Sequence, residues 1–234
     1  MNCKRFAMLL AGVLLITGAC GAPARASSPA AGAEASGYEM RVYAATPEIQ
    51  IAYPVFSDQD GLNALVEAQV KAMVPEDTAG VTIEYACAVT LLNRRMVSMV
   101  FWGYSNVEGS IHPYNDLFTL NVDRETLRPV TLTDLYEVNA DFEKVFFDHA
   151  AFPGDPVTSY AADTFADALA LQVSGLQSYD PFGMAGQIAC FLKPDGLVLS
   201  LPAVHASGSD HFEAQLRYAD IQAYYRLSDN LWED

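Results

Sequence analysis

Basic residues are few in this sequence. Thirteen Lys and Arg stand against twenty-nine Asp and Glu, a net charge of −16 over 234 residues. Binding to nucleic acid rewards a basic stripe that neutralises phosphates, and with none here nucleic acid is excluded as a partner. An anionic bilayer surface is disfavoured on the same ground. Cysteine is scarce too, four in all, and no Cys-x-x-Cys or Cys/His spacing supports zinc. Charged residues make up only 18 % of the chain and apolar ones 51 %, a balance that excludes wholesale disorder. The chain also lacks G-x-S-x-G, S-x-x-K and a glycine-rich phosphate loop. The sequence therefore assigns no catalytic residue, no cofactor and no metal.

What is present begins with a targeting signal. Lys4 and Arg5 precede an apolar run over residues 6–16, and Thr17-Gly18-Ala19-Cys20 follows. A positive start, a short apolar run and small residues describe an export signal, too short to span a bilayer. Two cleavage readings stand open. In one, residues 1–19 are removed and Cys20 is the lipidated cysteine of a lipoprotein, with Thr17 where Leu is usual. In the other, ordinary cleavage follows Ala24-Arg25-Ala26, giving a periplasmic or secreted protein. Residues 20–37 are rich in Ala, Ser, Pro and Gly without periodicity, as a flexible tether would be. Loss of the signal removes two positive charges and no negative one, taking the net charge from −16 to −18. Cys87 and Cys190 remain in the folded part. In an oxidising compartment they form either a disulfide or two separately buried thiols.

Alternating apolar residues predict two short strands, through Tyr38, Met40 and Val42 and through Ile49, Ile51 and Tyr53, with Pro54 closing the second. Ser57 and Asp60 have capping-box spacing ahead of a helix over about 61–73. Residues 81–91 form the strongest strand, with Val81, Ile83, Tyr85, Cys87, Val89 and Leu91 on one face. Asn93-Arg94 turns it into a partner at 96–104, a central strand apolar on both sides: Val97, Met99 and Phe101 on one, Val100 and Trp102 on the other. A strand at 117–122, a short turn at 131–136 and a helix capped by Asn139 follow, the helix carrying Phe142, Val145, Phe146 and a core His149 on one stripe. A second helix from Ser159 has Phe165, Leu169 and Val173 inward. Strands at 188–192, 196–201 and 212–216 and a helix at 218–225 close the chain. With hairpin-like neighbours rather than βαβ repeats, the fold class is α+β, mostly antiparallel sheet with helices packed against it, in two consecutive α/β subdomains.

Residues 97–136, VSMVFWGYSNVEGSIHPYNDLFTLNVDRETLRPVTLTDLY, carry a resemblance. A strand, a Gly-x-x-His-like turn at Gly109 to His112, a second strand, a tight turn at Asp123 to Thr126 and the run Thr131 to Tyr136 follow one another. GLVLSLPAVHASGSDHFEAQLRYADIQAYY supplies two final strands and a closing helix. The chain thereby resembles the extracytoplasmic domain shared by the anti-sigma factor RsiV and the N-terminal region of the peptidoglycan deacetylase PdaC, over roughly residues 44–226. It departs at the turn, where the family has Gly-Gly-Ala-His and this chain has Gly109-Ser110-Ile111-His112. The resemblance implies a PdaC-like half at 38–106, an RsiV C-terminal-like half at 107–228 and a tail at 229–234. Only residues 1–5 precede the apolar run and the chain stops soon after Arg226, so the expectation is the receptor-like module by itself, without a sigma-binding segment or a deacetylase domain.

Three residues are candidate ligand contacts. His112 lies in a turn between strands, where a histidine can bind or exchange protons, or simply hydrogen-bond to backbone. Tyr114 beside it and Trp102 belong to a dense aromatic group with Phe101 and Tyr104. That group is core packing or a platform on which a glycan stacks. His205 and His211 match no standard metal spacing. RsiV-type domains bind lysozyme, a strongly basic protein, so the resemblance and the acidic charge imply the same class of partner. The expectation is an exported, non-enzymatic binding module, membrane-associated only through a lipid anchor, for a cationic lysozyme-like protein or a peptidoglycan fragment. The alternative is a peptidoglycan-active hydrolase or an accessory deacetylase component, which would need a convergent His/Asp/Glu pocket.

Overall fold

The computed structural model describes residues 37–152, 188–202 and 211–226, all within one compact unit that spans residues 33–234. The helix expected from Ser159, and His205, lie outside the described residues. Strands β1 (Tyr38–Thr46) and β2 (Ile49–Phe56) form an antiparallel hairpin. Pro54 does not end β2. The strand pairs with its next neighbour only over Ile49–Ile51, so Pro54 sits beyond that ladder, where a missing N–H costs no bond. Helix α1 (Asp60–Ala72) follows, with Gln59 rather than Ser57 at its N-cap and no side-chain cap. Asn63 instead ties the helix to the strand, accepting from the Phe56 N–H at 2.7 Å and donating to the Phe56 carbonyl at 2.8 Å.

Strands β3 (Val81–Leu92), β4 (Met96–Val107), β5 (Tyr114–Asp123) and β6 (Arg128–Pro129) complete a six-stranded sheet in sequence order. All neighbours are antiparallel except β2 and β3. The sheet is thus mostly antiparallel, as expected, with one parallel crossover through a helix at β2–α1–β3. Leu62, Val66 and Val70 of α1, at helical spacing, bury against Ile49, Ile51, Ile83, Tyr85, Cys87, Val97, Met99 and Phe101 on one sheet face.

The opposite face carries a second core. Helices α2 (Leu132–Leu135) and α3 (Ala140–His149) precede a three-stranded antiparallel sheet of β7 (Ala189–Lys193), β8 (Gly196–Pro202) and β9 (His211–Arg217). Helix α4 (Tyr218–Ile221) and a 3₁₀ turn (Gln222–Tyr224) follow, where the sequence predicted one helix. Asn139 caps α3 as predicted, accepting from the N–H groups of Asp141 and Phe142 at 3.0 and 2.9 Å. Phe142 and Phe146 bury with Leu135, Tyr136, Cys190, Leu192, Leu197, Leu199, Leu216 and Ile221. His149, expected on that stripe, is exposed, its Nδ1 3.8 Å from Asp220 Oδ1.

A β-bulge decides which side of the sheet each core receives. Val89 pairs with Met99 but Leu91 with Ser98, leaving Thr90 as the extra residue of β3. Side-chain alternation reverses there, so Leu91 leaves the α1 core and enters the second one. In β4 the residues from Met96 to Phe101 are all buried, as a strand covered on both faces requires.

Two buried polar residues join the small sheet to the large one. β7 is the outer strand of the small sheet, and its outward backbone groups meet β4 and β5. Leu192 N–H donates to Ser98 Oγ at 2.8 Å, and Asn121 Nδ2 donates to the Cys190 carbonyl at 2.8 Å. Ser98 Oγ donates to Asn121 Oδ1 at 2.7 Å, and Thr90 Oγ1 lies 3.1 Å from Ser98 Oγ. An edge strand that would otherwise present bare N–H and C=O groups is thus closed from within.

The layout bears on the division at 106/107 and on the two readings left open for the cysteines. The division at 106/107 does not separate two sheets, because it cuts the end of β4 and β5 extends the same sheet. Cys87 and Cys190 form no disulfide: both are free and buried. Cys87 faces α1 while Cys190 lies in the second core, so the backbone of the large sheet runs between them. Among the described residues no helix is long and apolar enough to cross a membrane.

Candidate functional site

Beyond Phe101, β4 emerges from its cover. Phe191 and Val198 of the small sheet pack on Val100, and the next residues on that face are Trp102 and Tyr104. They are 40 % and 38 % exposed, so the apolar face the sequence assigned to Trp102 is open to solvent. On the flanking strands, Ala86 and Leu117 pair with Trp102, and Glu84 and Asn115 with Tyr104. The result is a sheet surface with two aromatic side chains on alternate residues of one strand. A carboxylate and an amide flank the second of them.

Gly103, between the two aromatics, has a reason to lack a side chain. A Cβ there would meet the Glu84 carbonyl oxygen at 1.9 Å. On its face the Tyr85 hydroxyl reaches across to donate to Asp116 Oδ2 at 2.7 Å, and Ser105 Oγ donates to the same oxygen at 2.5 Å. Burial, together with the hydrogen bond to Asp116, holds the Tyr85 phenol well above its ordinary range. Tyr85 also packs on Phe118, ring centroids 5.5 Å apart. These contacts brace the strand from which Trp102 and Tyr104 project.

The β4–β5 connection extends this end of the sheet. Gly109 adopts φ +87, a left-handed position in the turn closed by Ser110 N–H to Val107 carbonyl at 2.9 Å. Ile111 and His112 are exposed at the tip, and Ser110 Oγ donates to the His112 carbonyl at 2.9 Å. Tyr114 is exposed but pairs with Ser105, which puts it on the opposite sheet face from Trp102. The three sequence candidates therefore do not converge: His112 is at the tip, Tyr114 on one face and Trp102 on the other. The sequence had Tyr104 in its aromatic group but not among its candidate contacts. The i, i+2 spacing of Trp102 and Tyr104 is the signal that pairs them.

Charge is segregated at the same end. Residues 72–93 and 96–123 contain no Lys or Arg but include Glu76, Asp77, Glu84, Glu108, Asp116 and, at the far end of β4 and β5, Asp123. Asp116 is held by Tyr85 and Ser105, and Asp123 by Arg95 Nε at 3.4 Å. Glu84 and Glu108 are exposed. Val107, on the face of Ser105 and Tyr114, and Ile111 at the tip present 54 % and 88 % of their surface. Aromatic, aliphatic and acidic surface thus share this end of the sheet, where no basic side chain of those two segments intervenes.

An open groove of about 570 Å³ lies between the β1–β2 ribbon and the start of α1, lined by Tyr38, Arg41, Tyr53, Phe56, Asp60 and Glu67 among others. Its lining holds no histidine. Two of its carboxylates are engaged by cations, Glu39 by Arg41 and Glu67 by Lys71 at 2.6 Å. Among the described residues no group of three or more His, Cys, Asp and Glu side chains is placed to hold a metal ion. His211 Nε2 instead lies 3.5 Å from Glu213 Oε1, and that contact, outweighing burial, lowers the pKa of Glu213.

No family model matches the chain, and no curated protein matches it. Among solved structures it is similar to a DUF3298 family protein from Pseudomonas aeruginosa, at 16 % identity and TM-score 0.48, with 84 % of this chain and 94 % of that one covered. It is similar also to a DUF3298 family member from Bacteroides fragilis, at 15 % identity and TM-score 0.44, with 81 % and 92 % covered.

Proposed function

We propose that this chain is an exported, lipid-anchored binding module without catalytic activity of its own, whose partner is a cationic protein engaged at the β4–β5 end of the large sheet. One observation carries the reading: Trp102 and Tyr104 are exposed on one sheet face with Glu84 paired to Tyr104, on segments lacking Lys and Arg. Exposed aromatics with carboxylates close by suit Arg and Lys side chains, which stack on rings and pair with acids. A net charge of −18 once the signal is removed draws a basic protein in from a distance and raises its association rate. Lipidation at Cys20 and the tether that follows would hold this surface outside the cell.

Lysozyme, a basic protein, serves as the probe. The full chain is titrated with it at low and at high salt. Binding at low salt that weakens steeply as salt rises is expected, because steering is screened beyond a Debye length of about 8 Å at 0.15 M. Trp102→Ala should raise the dissociation rate and Glu84→Lys lower the association rate. Absence of binding at low salt overturns the reading.

The alternate-residue spacing of Trp102 and Tyr104, flanked by Glu84 and Asn115, favours a second reading. A peptidoglycan fragment would stack its sugar faces on the two rings. Quenching of tryptophan fluorescence by soluble muropeptides, abolished by Trp102→Ala and insensitive to salt, distinguishes it from the first.

A further inference from the structure

Among the described residues β1 ends the sheet order and pairs with β2 alone. The edge is long, nine residues, and Glu39, Met40, Arg41 and Val42 are all exposed. Exposed edges of this length are normally defended against pairing with another strand by an uncompensated charge, a proline or a bulge. Here the bulge falls late, between Ala44 and Thr46, and the charges are not of one kind. Glu39 and Arg41 carry opposite signs at positions two apart. They lie on the same side of the strand and bond to each other.

We propose that β1 is an interface between two copies of this chain, pairing antiparallel with itself about a two-fold axis at Met40. The sequence Tyr38-Glu39-Met40-Arg41-Val42 is self-complementary in that register. Met40 faces Met40 of the second copy, Arg41 faces the second copy's Glu39 and Val42 faces the second copy's Tyr38. The axis repeats each contact, so two ion pairs form on one side of the ribbon. On the other side, Met40 and Val42, 43 % and 60 % exposed, gain apolar neighbours. Cross-strand pairs of this kind are the unit of sheet stability, and an isologous two-fold contact closes after two copies rather than growing a fibre. Registers that place Arg41 opposite Arg41 or Glu39 opposite Glu39 are penalised by like charge. The Glu39–Arg41 pair thus selects the register instead of blocking association. The two six-stranded sheets would run on as one across the axis.

The register is read by cross-linking in the full chain. Directly opposite residues have Cα atoms about 4.5–5.5 Å apart, within disulfide reach, whereas Val42 and its counterpart lie about 14 Å apart at roughly 3.4 Å per residue. Met40→Cys under mild oxidation should give a disulfide-linked dimer above the level of the unsubstituted chain, and Val42→Cys should not. In the Met40→Cys background, Glu39→Arg or Arg41→Glu alone should cut the dimer roughly tenfold by placing like charges opposite each other. The double variant Glu39→Arg/Arg41→Glu should restore it, as should mixing the two single variants. No dimer at residue 40, equal cross-linking at residues 40 and 42, or indifference to the charge reversals overturns the proposal.

Discussion

Ser98 and Asn121 are small polar residues in a strand environment that is otherwise apolar, and their value comes from what each would abandon. Both are almost fully buried, and between them they satisfy the Leu192 N–H and the Cys190 carbonyl. Ser98→Ala strands a buried donor, and Asn121→Leu strands a carbonyl and the Ser98 hydroxyl. Each should lower unfolding free energy by about 1–3 kcal/mol in a denaturant titration. Because the two share one network, the double variant should cost less than the sum of the singles. Arg217→Ala removes an ion pair with Asp220 at 2.8 Å and should leave unfolding free energy nearly unchanged. The thiols give a second test at this scale. Burial pushes the Cys190 thiol up to about 12 and raises the Cys87 thiol as well. Alkylation mapped by mass should therefore be slow at both residues in the native chain and complete in denaturant without reductant. Failure to alkylate in denaturant would mean a bridge and reject the separation described above.

At the scale of elements, the strands and helices were legible where periodicity governs them. The α1 stripe, the alternation of β3, the two-sided burial of β4 and the Asn139 cap follow from spacing alone. What escaped were features whose signal is tertiary. The Thr90 bulge leaves no mark in an apolar run, and the alternation through Leu91 continues as if unbroken. Trp102 reads as core because the residues before it on β4 are core. Its exposure depends on where the small sheet stops, a boundary set by residues some ninety positions later. The parallel β2–β3 contact spans only Ile49–Ile51, too short to show in either strand. Helix α2 offers the pH test. Thr131 Oγ1 and N–H donate to Asp134 Oδ2 at 2.6 and 2.8 Å, and those bonds hold the Asp134 carboxyl below its usual range. A depressed folded pKa means stability that is present above the ordinary value of about 4 and is lost as pH falls through the folded value. Asp134→Asn should cost about 1 kcal/mol at neutral pH. It should also flatten the decline of unfolding free energy in acid, measured by denaturant titrations at successive pH values.

For the whole molecule, charge sets the behaviour. Several basic side chains are taken up locally: Arg41 with Glu39, Lys71 with Glu67, Lys144 with Asp148 and Arg217 with Asp220. The excess of acids is left to repel itself. Raising salt from about 0.01 M to about 0.15 M shortens the screening length from roughly 30 to 8 Å, and the thermal midpoint should rise with it. A midpoint that falls instead would mean that the local pairs outweigh the long-range repulsion. The same excess that destabilises the free chain is what a cationic partner would neutralise, so such a partner should raise the midpoint most at low salt.

The contact between Leu192 and Ser98 closes a chain separation of 94 residues. The large sheet is built almost wholly from near neighbours in sequence, so it can assemble while the later strands are still unattached. The small sheet must find it across a large separation in sequence, a slow event because chain entropy is lost before any contact forms. Docking of β7 should therefore be the last step of folding and the first of unfolding. The Leu192 amide, sealed against Ser98 only after that step, is a built-in clock whose hydrogen exchange times it.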